Sequence, residues 1–239
     1  MSGRGQNTVY AAARARRRPP PAPISRPRVR LSYNDIHKAI QASAPKIIKD
    51  FAPDLFIAIG GGGFIPARIL RTFCKTTEDG KKRNIPIQAV GLTLYESLGG
   101  IEEQIGSEVV RVQWIDFSTL GSKLKHGGLL GRRILVVDEV DDTRTTLVYT
   151  IRELQKDINK QLALVTDEAE RERLREATKL AIFVVHNKLK PKAGEVPEGV
   201  QYFSAVDTPD VWLAYPWECE DDIDEHDALR VNNPKVEDL

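Results

Sequence analysis

The chain has 239 residues, enough for one α/β domain with a sizeable core and too few for two of full size. A formal net charge of +1 gives no global pull toward nucleic acid or an anionic membrane, no apolar run reaches the ~18 residues of a membrane helix, and 41% hydrophobic residues exclude a chain disordered throughout. Two cysteines, Cys74 and Cys219, offer neither a disulfide framework nor zinc spacing, and with no secretory signal core this points to a reducing, cytoplasmic setting.

The near-zero charge hides a polarity. Residues 1–30 hold eight arginines and no acid, and Pro19, Pro20, Pro21, Pro23 and Pro27 bar a long helix there. This stretch reads as a disordered basic tail, with a targeting peptide or an anion-binding arm as the functional alternatives. Residues 31–49 carry apolar positions at helical spacing, with Ser32 or Asn34 as cap, and predict an opening helix. The apolar run 55–59 is a strand. It ends on Gly60, Gly61, Gly62 and Gly63, and helical periodicity resumes over 64–73. Residues 85–94 predict a second strand, and 97–107, with three glycines and mixed charge, a mobile loop.

Four consecutive apolar residues, Ile134, Leu135, Val136 and Val137, predict a strand covered on both faces, as in a parallel sheet. A helix follows over 145–157, then a highly charged one over 166–179 with Thr166 as cap, then an apolar strand over 180–185. Residues 211–217 read as a last strand or an extended segment, and 219–239 as an acidic, solvated end. Strands alternating with helices give an α/β fold with a largely parallel sheet of about five strands. The main domain spans 31–218.

The chemistry concentrates after residue 137. Asp138, Glu139, Asp141 and Asp142 close the strand, and Thr143, Arg144, Thr145 and Thr146 open the helix. Ligands of parallel sheets sit at the carboxyl ends of strands. The first N–H groups of a helix are unpaired and favour an anion, and threonine hydroxyls add donors. Carboxylates repel phosphate, so these acids suit ribose hydroxyls, Mg²⁺ or the work of a base. A phosphate cradle beside a carboxylate patch fits a sugar phosphate. The four glycines allow close ligand approach and a nest of N–H groups. A dinucleotide fingerprint fails here, because its third glycine would fall on Ile65 or Pro66, and a P-loop fails for want of Gly-Lys-Ser/Thr.

This stretch resembles the phosphoribosyl pyrophosphate signature of the type I phosphoribosyltransferases. Asp138 and Glu139 match its paired acids, Asp142 its third acid, and Thr143 and Thr146 its phosphate-loop threonines. Arg144 stands where most of the family has glycine. Residues 32–218 are similar to the fungal hypoxanthine-guanine and xanthine branch, including the segments 31–34, 59–68, 113–116 and 215–218. The resemblance implies transfer of a 5-phosphoribosyl group from phosphoribosyl pyrophosphate to a 6-oxopurine, giving IMP or GMP and pyrophosphate, in a homodimeric cytoplasmic enzyme that uses Mg²⁺. It implies that residues 60–63 and Tyr95 hold pyrophosphate, and that the 97–107 loop closes over the reacting centre. Trp212 would stack on the base, with the Leu213 backbone reading its edge. His186 or Lys188 would donate to the 6-oxo group, and Glu218 would lie near pyrophosphate and metal. Asp142 would take the N7 proton or steady the ribosyl cation. A hood built from the N-terminal helix and residues 182–218 would hold the base. Xanthine as the preferred base, and a regulator that keeps the fold to sense nucleotides or bind RNA, are the alternatives.

Overall fold

The computed structural model describes residues 28–76, 80–95, 108–120 and 128–234. At its centre lies a six-stranded sheet in the order β4-β3-β2-β5-β6-β7. The strands are β2 (Leu55–Gly60), β3 (Ile87–Tyr95), β4 (Glu108–Gln113), β5 (Arg133–Asp141), β6 (Lys179–Lys188) and β7 (Gln201–Thr208). Five of them run parallel, as the sequence implies, and β4 closes one edge antiparallel to β3.

The unbroken apolar runs follow from a sheet covered on both faces. Along β5, Leu135 and Val137 join one core with α1 (Tyr33–Asp50) and α2 (Phe64–Cys74). Ile134 and Val136 point the other way, into a core shared with α3 (Thr145–Ala163) and α4 (Glu168–Ala177). β6 repeats the alternation, with Phe183 and Val185 on the first face and Ile182 and Val184 on the second. Emptying such a site, as in Phe183→Ala, costs about 3–5 kcal/mol.

Several boundaries differ from expectation for definable reasons. Ser32 caps α1 through a reciprocal capping box with Asp35, and Asp167 rather than Thr166 caps α4 by accepting from the Glu170 N–H. The α1 helix lies on the sheet, not in a hood: Ile36, Ile40, Ala44 and Ile47 form one stripe, which the first core absorbs. Residues 201–208 likewise belong to the sheet, as its far edge strand. The hood is smaller. It consists of β1 (Arg28–Arg30) paired with β8 (Trp212–Ala214), together with α5 (Ile223–Ala228) and the turn after it. The described residues begin with β1 at Arg28, inside the stretch read as tail; residues 1–27 lie outside them. The acidic end is tied down as far as Asn233, whose side chain bonds both the N–H and the carbonyl of Arg30 at 2.8 Å, and by Arg230 pairing with Asp35 at 2.5 Å.

Candidate active site

The chain leaves β2 through α2 to β3 on one side, and reaches β5 on the other. Strand order reverses between β2 and β5, and at such a point the strand ends splay into a crevice. The crevice holds a cavity of about 310 Å³ between the glycine turn after β2 and residues 138–147. The four glycines are not equivalent. A Cβ on Gly62 would overlap the Glu139 carboxylate, and one on Gly63 would run into the Val137 carbonyl oxygen, whereas one on Gly61 would meet nothing within 4 Å. Gly62 and Gly63 are thus needed for close approach to β5, and Gly61 borders open space.

Asp138 and Glu139 sit against this turn. Asp138 is buried, and its carboxylate accepts the Glu139 N–H at 2.9 Å. Burial, then the neighbouring Glu139 charge, pushes the Asp138 carboxyl well above the usual carboxylate range. Glu139 Oε2 is buried with no hydrogen-bond partner. Below the pair, the Tyr215 hydroxyl donates to the Glu139 carbonyl at 3.1 Å and lies 2.9 Å from His186 Nδ1. Since the tyrosine proton goes to the carbonyl, His186 Nδ1 is the donor. Burial lowers the His186 pKa to about 4, so the ring is neutral. This removes His186 as a cationic donor to a base: it is packed in the core with its Nδ1 engaged by Tyr215.

The downstream acids have a different setting. Asp141 is fully buried, accepting from Arg144 Nε and Tyr202 Oη at 2.8 Å each, with Lys192 Nζ at 3.3 Å. Its carboxylate is thus held by partners from the same turn, from β7 and from the segment after β6. Asp142 is nearly half exposed and pairs with Lys190 and, at 3.5 Å, with Lys188. Burial works against its charge, but Lys190 and Lys188 override it and hold the carboxyl below the usual range. Lys188, on the last residue of β6, also lies 3.9 Å from Asp210, and Lys190 lies 3.3 Å from it.

Between the acids and α3, the turn has the shape of an anion cradle. Thr143 and Thr145 hydroxyls are 3.0 Å apart, and Arg144, the N-cap residue, makes no side-chain cap to the helix. The first N–H groups of α3 thus face the crevice without a side-chain partner, alongside Thr146. Arg144 has φ +68°, the left-handed conformation that glycine would adopt freely and that costs another residue roughly 1–2 kcal/mol.

Trp212 is 44% exposed and lines a second cavity, in the hood, with Arg28, Arg30 and Glu218. Leu213 sends its side chain into the first core and aligns with Val29 of β1. Glu218 has a raised pKa, from burial first and from Glu139 second, which places it within electrostatic reach of the upstream pair. Among the described residues no group of three acids, histidines or cysteines gathers around one point. Tyr95 ends β3 opposite Glu108; its side chain and the 97–107 loop lie outside the described residues. Lys190, Lys192, Tyr202 and Tyr215 were missed from sequence. Only the lysines left a signal, as Lys188, Lys190 and Lys192 alternate directly after a strand.

No family model matches the chain. It is 53% identical over 206 residues to the hypoxanthine-guanine phosphoribosyltransferase of Schizosaccharomyces pombe, covering 84% of this chain and 93% of that one. It is 48% identical over 209 residues to xanthine phosphoribosyltransferase 1 of Saccharomyces cerevisiae, covering 84% and 94%. Among solved structures, a hypothetical protein from Neisseria gonorrhoeae with bound ppGpp superposes with a TM-score of 0.65 at 37% identity, over 87% of this chain and 98% of that one. A purine phosphoribosyltransferase from Pyrococcus horikoshii shares the fold, with a TM-score of 0.52 at 24% identity over 82% and 96%.

Proposed function

The chain belongs to the purine phosphoribosyltransferases, and on that footing we propose that it converts hypoxanthine and guanine, with phosphoribosyl pyrophosphate, to IMP, GMP and pyrophosphate. The observation that carries the reading is the buried, unpartnered Glu139 oxygen beside Asp138, pressed against a glycine turn. A buried carboxylate without donors is costly unless a cation or a sugar hydroxyl joins it. The pair therefore fits Mg²⁺. Two carboxylates are as many as this ion needs when substrate phosphates complete its shell. Bound there, Mg²⁺ would neutralise charge developing on the leaving pyrophosphate.

The rest is done by the chain itself. The glycine-turn N–H groups hold pyrophosphate, and the open end of α3 with Thr143 and Thr146 holds the 5-phosphate. Asp142 lies between them. A carboxyl held below its usual range is a poor proton acceptor and a durable negative charge. Of its two roles, steadying the oxocarbenium-like state at the anomeric carbon is the better supported. Lys188 is the cation left to meet a 6-oxo group, now that His186 is neutral. Adenine offers a 6-amino donor there, which sets two donors against each other, and a site built for a hydrogen bond rejects such an analogue by roughly 10⁴–10⁵. The Neisseria structure, with a phosphorylated guanosine bound, supports a guanine ligand on this fold. A cytoplasmic homodimer belongs to the same reading.

The test is turnover of the purified protein with phosphoribosyl pyrophosphate, Mg²⁺ and each of four bases. Hypoxanthine and guanine are expected as good substrates and adenine as essentially none. Xanthine exceeding both would move the chain to the xanthine branch, as would suit its likeness to the Saccharomyces xanthine enzyme. Adenine competing well with guanine would overturn the role of Lys188.

A further inference from the structure

Arg144 occupies a left-handed backbone position, shared among the described residues other than glycine only by Ala52. Its side chain shows what keeps it there. Nε and Nη2 both lie 2.8 Å from Asp141 Oδ2, and the same oxygen accepts the Tyr202 hydroxyl at 2.8 Å. The guanidinium carbon sits 5.0 Å from the Tyr202 ring centre, a cation–π contact. Lys192 Nζ reaches the other Asp141 oxygen at 3.3 Å and also donates to the carbonyls of Asp141 and Asp142, at 2.7 and 3.1 Å. The next residue, Ala193, donates its N–H to the Thr143 carbonyl at 2.9 Å. The segment after β6 is thus stitched to residues 141–144 one after another, and Tyr202 anchors them from β7.

We propose that Arg144, Asp141, Tyr202 and Lys192 form a latch that fixes the 143–147 turn in its phosphate-binding shape before substrate arrives, with Arg144 as a positioning residue rather than a phosphate ligand. A glycine would adopt the backbone angle freely but could hold nothing. Arginine meets the backbone penalty with one Nε–H bond, a second ion-pair contact to the same oxygen and a stacking face, geometry that lysine lacks. The latch carries two cations against one buried carboxylate, so it also leaves net positive charge beneath the cradle. The inference rests on the phosphoribosyl reading for what the cradle binds, but not for whether the latch exists.

The experiment compares Arg144→Gly, Arg144→Lys, Tyr202→Phe and the double variant Arg144→Gly/Tyr202→Phe. Tyr202→Phe removes one hydroxyl, keeps the ring and serves as the conservative variant. Hydrogen exchange of the ligand-free protein reads the latch directly. The amides of Val148 and Ala193, bonded to the Arg144 and Thr143 carbonyls, should exchange faster in Arg144→Gly and in Tyr202→Phe, with the middle of α3 unchanged. In turnover, Arg144→Gly should raise KM for phosphoribosyl pyrophosphate about tenfold and leave kcat within about twofold. Arg144→Lys should not restore it. Tyr202→Phe should raise KM about threefold, and the double variant should be no worse than Arg144→Gly alone, as members of one unit are non-additive. If Arg144 instead binds phosphate directly, Tyr202→Phe will leave KM and exchange unchanged and the double variant will be additive. That result overturns the proposal. Absence of turnover in wild type would defeat the phosphoribosyl reading, while the exchange data would still decide the latch.

Discussion

The acids at the end of β5 form two adjacent pairs with opposite surroundings. Among the described residues no cation pairs with Asp138 or Glu139. One carboxyl is driven upward by burial and by its neighbour, and the other leaves an oxygen without a donor. Asp141 and Asp142, two residues further on, meet Arg144, Lys188, Lys190 and Lys192. In sequence they make one acidic patch. In space the upstream pair is a place where positive charge is still owed, and the downstream pair is already neutralised, half as scaffold and half as a fixed negative charge. On the proposed function, the substrate's metal would bind at the first pair and the developing ribosyl cation would meet Asp142.

This contrast can be broken most severely at Asp142. Asp142→Asn should lower kcat by about 10²–10³ and leave KM for phosphoribosyl pyrophosphate within about threefold, as for removal of an electrostatic stabiliser. Steady-state kinetics at saturating base measures it, and wild-type turnover would remove Asp142 from the chemistry.

His186 tests why the upstream pair lacks a cation. Its folded pKa of about 4 lies below the ordinary histidine value of 6.5. The stability it contributes is therefore fully present above pH 6.5 and lost as pH falls through 4, an amount of about 3 kcal/mol at 1.36 kcal/mol per unit. Denaturant unfolding from pH 7 to 4 should show a shallower loss in His186→Asn than in wild type. Equal slopes would mean that the ring is not neutral in the fold.

A smaller effect, opposite in sign to most substitutions, is expected at Asp138. Its folded pKa is raised, so the stability it contributes is present below about pH 4 and is lost as pH rises through the folded value. As pH rises through that value the wild type should lose stability that Asp138→Asn keeps, because only the wild type gains a buried charge. Thermal unfolding without Mg²⁺ against pH reads it, and an equal loss in both would show that the pair is compensated after all.

The strand, the glycine turn, the acids and the helix start were legible because each is local in sequence. Hydrophobic runs mark β2, β5 and β6, and Arg144 at a glycine position announces a left-handed residue. The division of labour between Asp141 and Asp142 was not legible, since Tyr202 and Lys192 reach Asp141 from 61 and 51 residues away. Nor was the neutrality of His186, which depends on Tyr215, 29 residues on. β7 escaped notice because its residues alternate imperfectly, as an edge strand's do, and α1 was given to the hood because a helical stripe does not say which surface will cover it.

The central claim is that the unneutralised half of the acidic cluster is the half that receives metal and pyrophosphate. Calorimetric titration of pyrophosphate with Mg²⁺ into wild type, Asp138→Asn, Glu139→Gln and Asp142→Asn at pH 7.5 tests it most directly. The account predicts that Asp138→Asn and Glu139→Gln each weaken binding by about tenfold or more, and that Asp142→Asn stays within about threefold of wild type. Tight binding retained in the first two and lost in Asp142→Asn would contradict it.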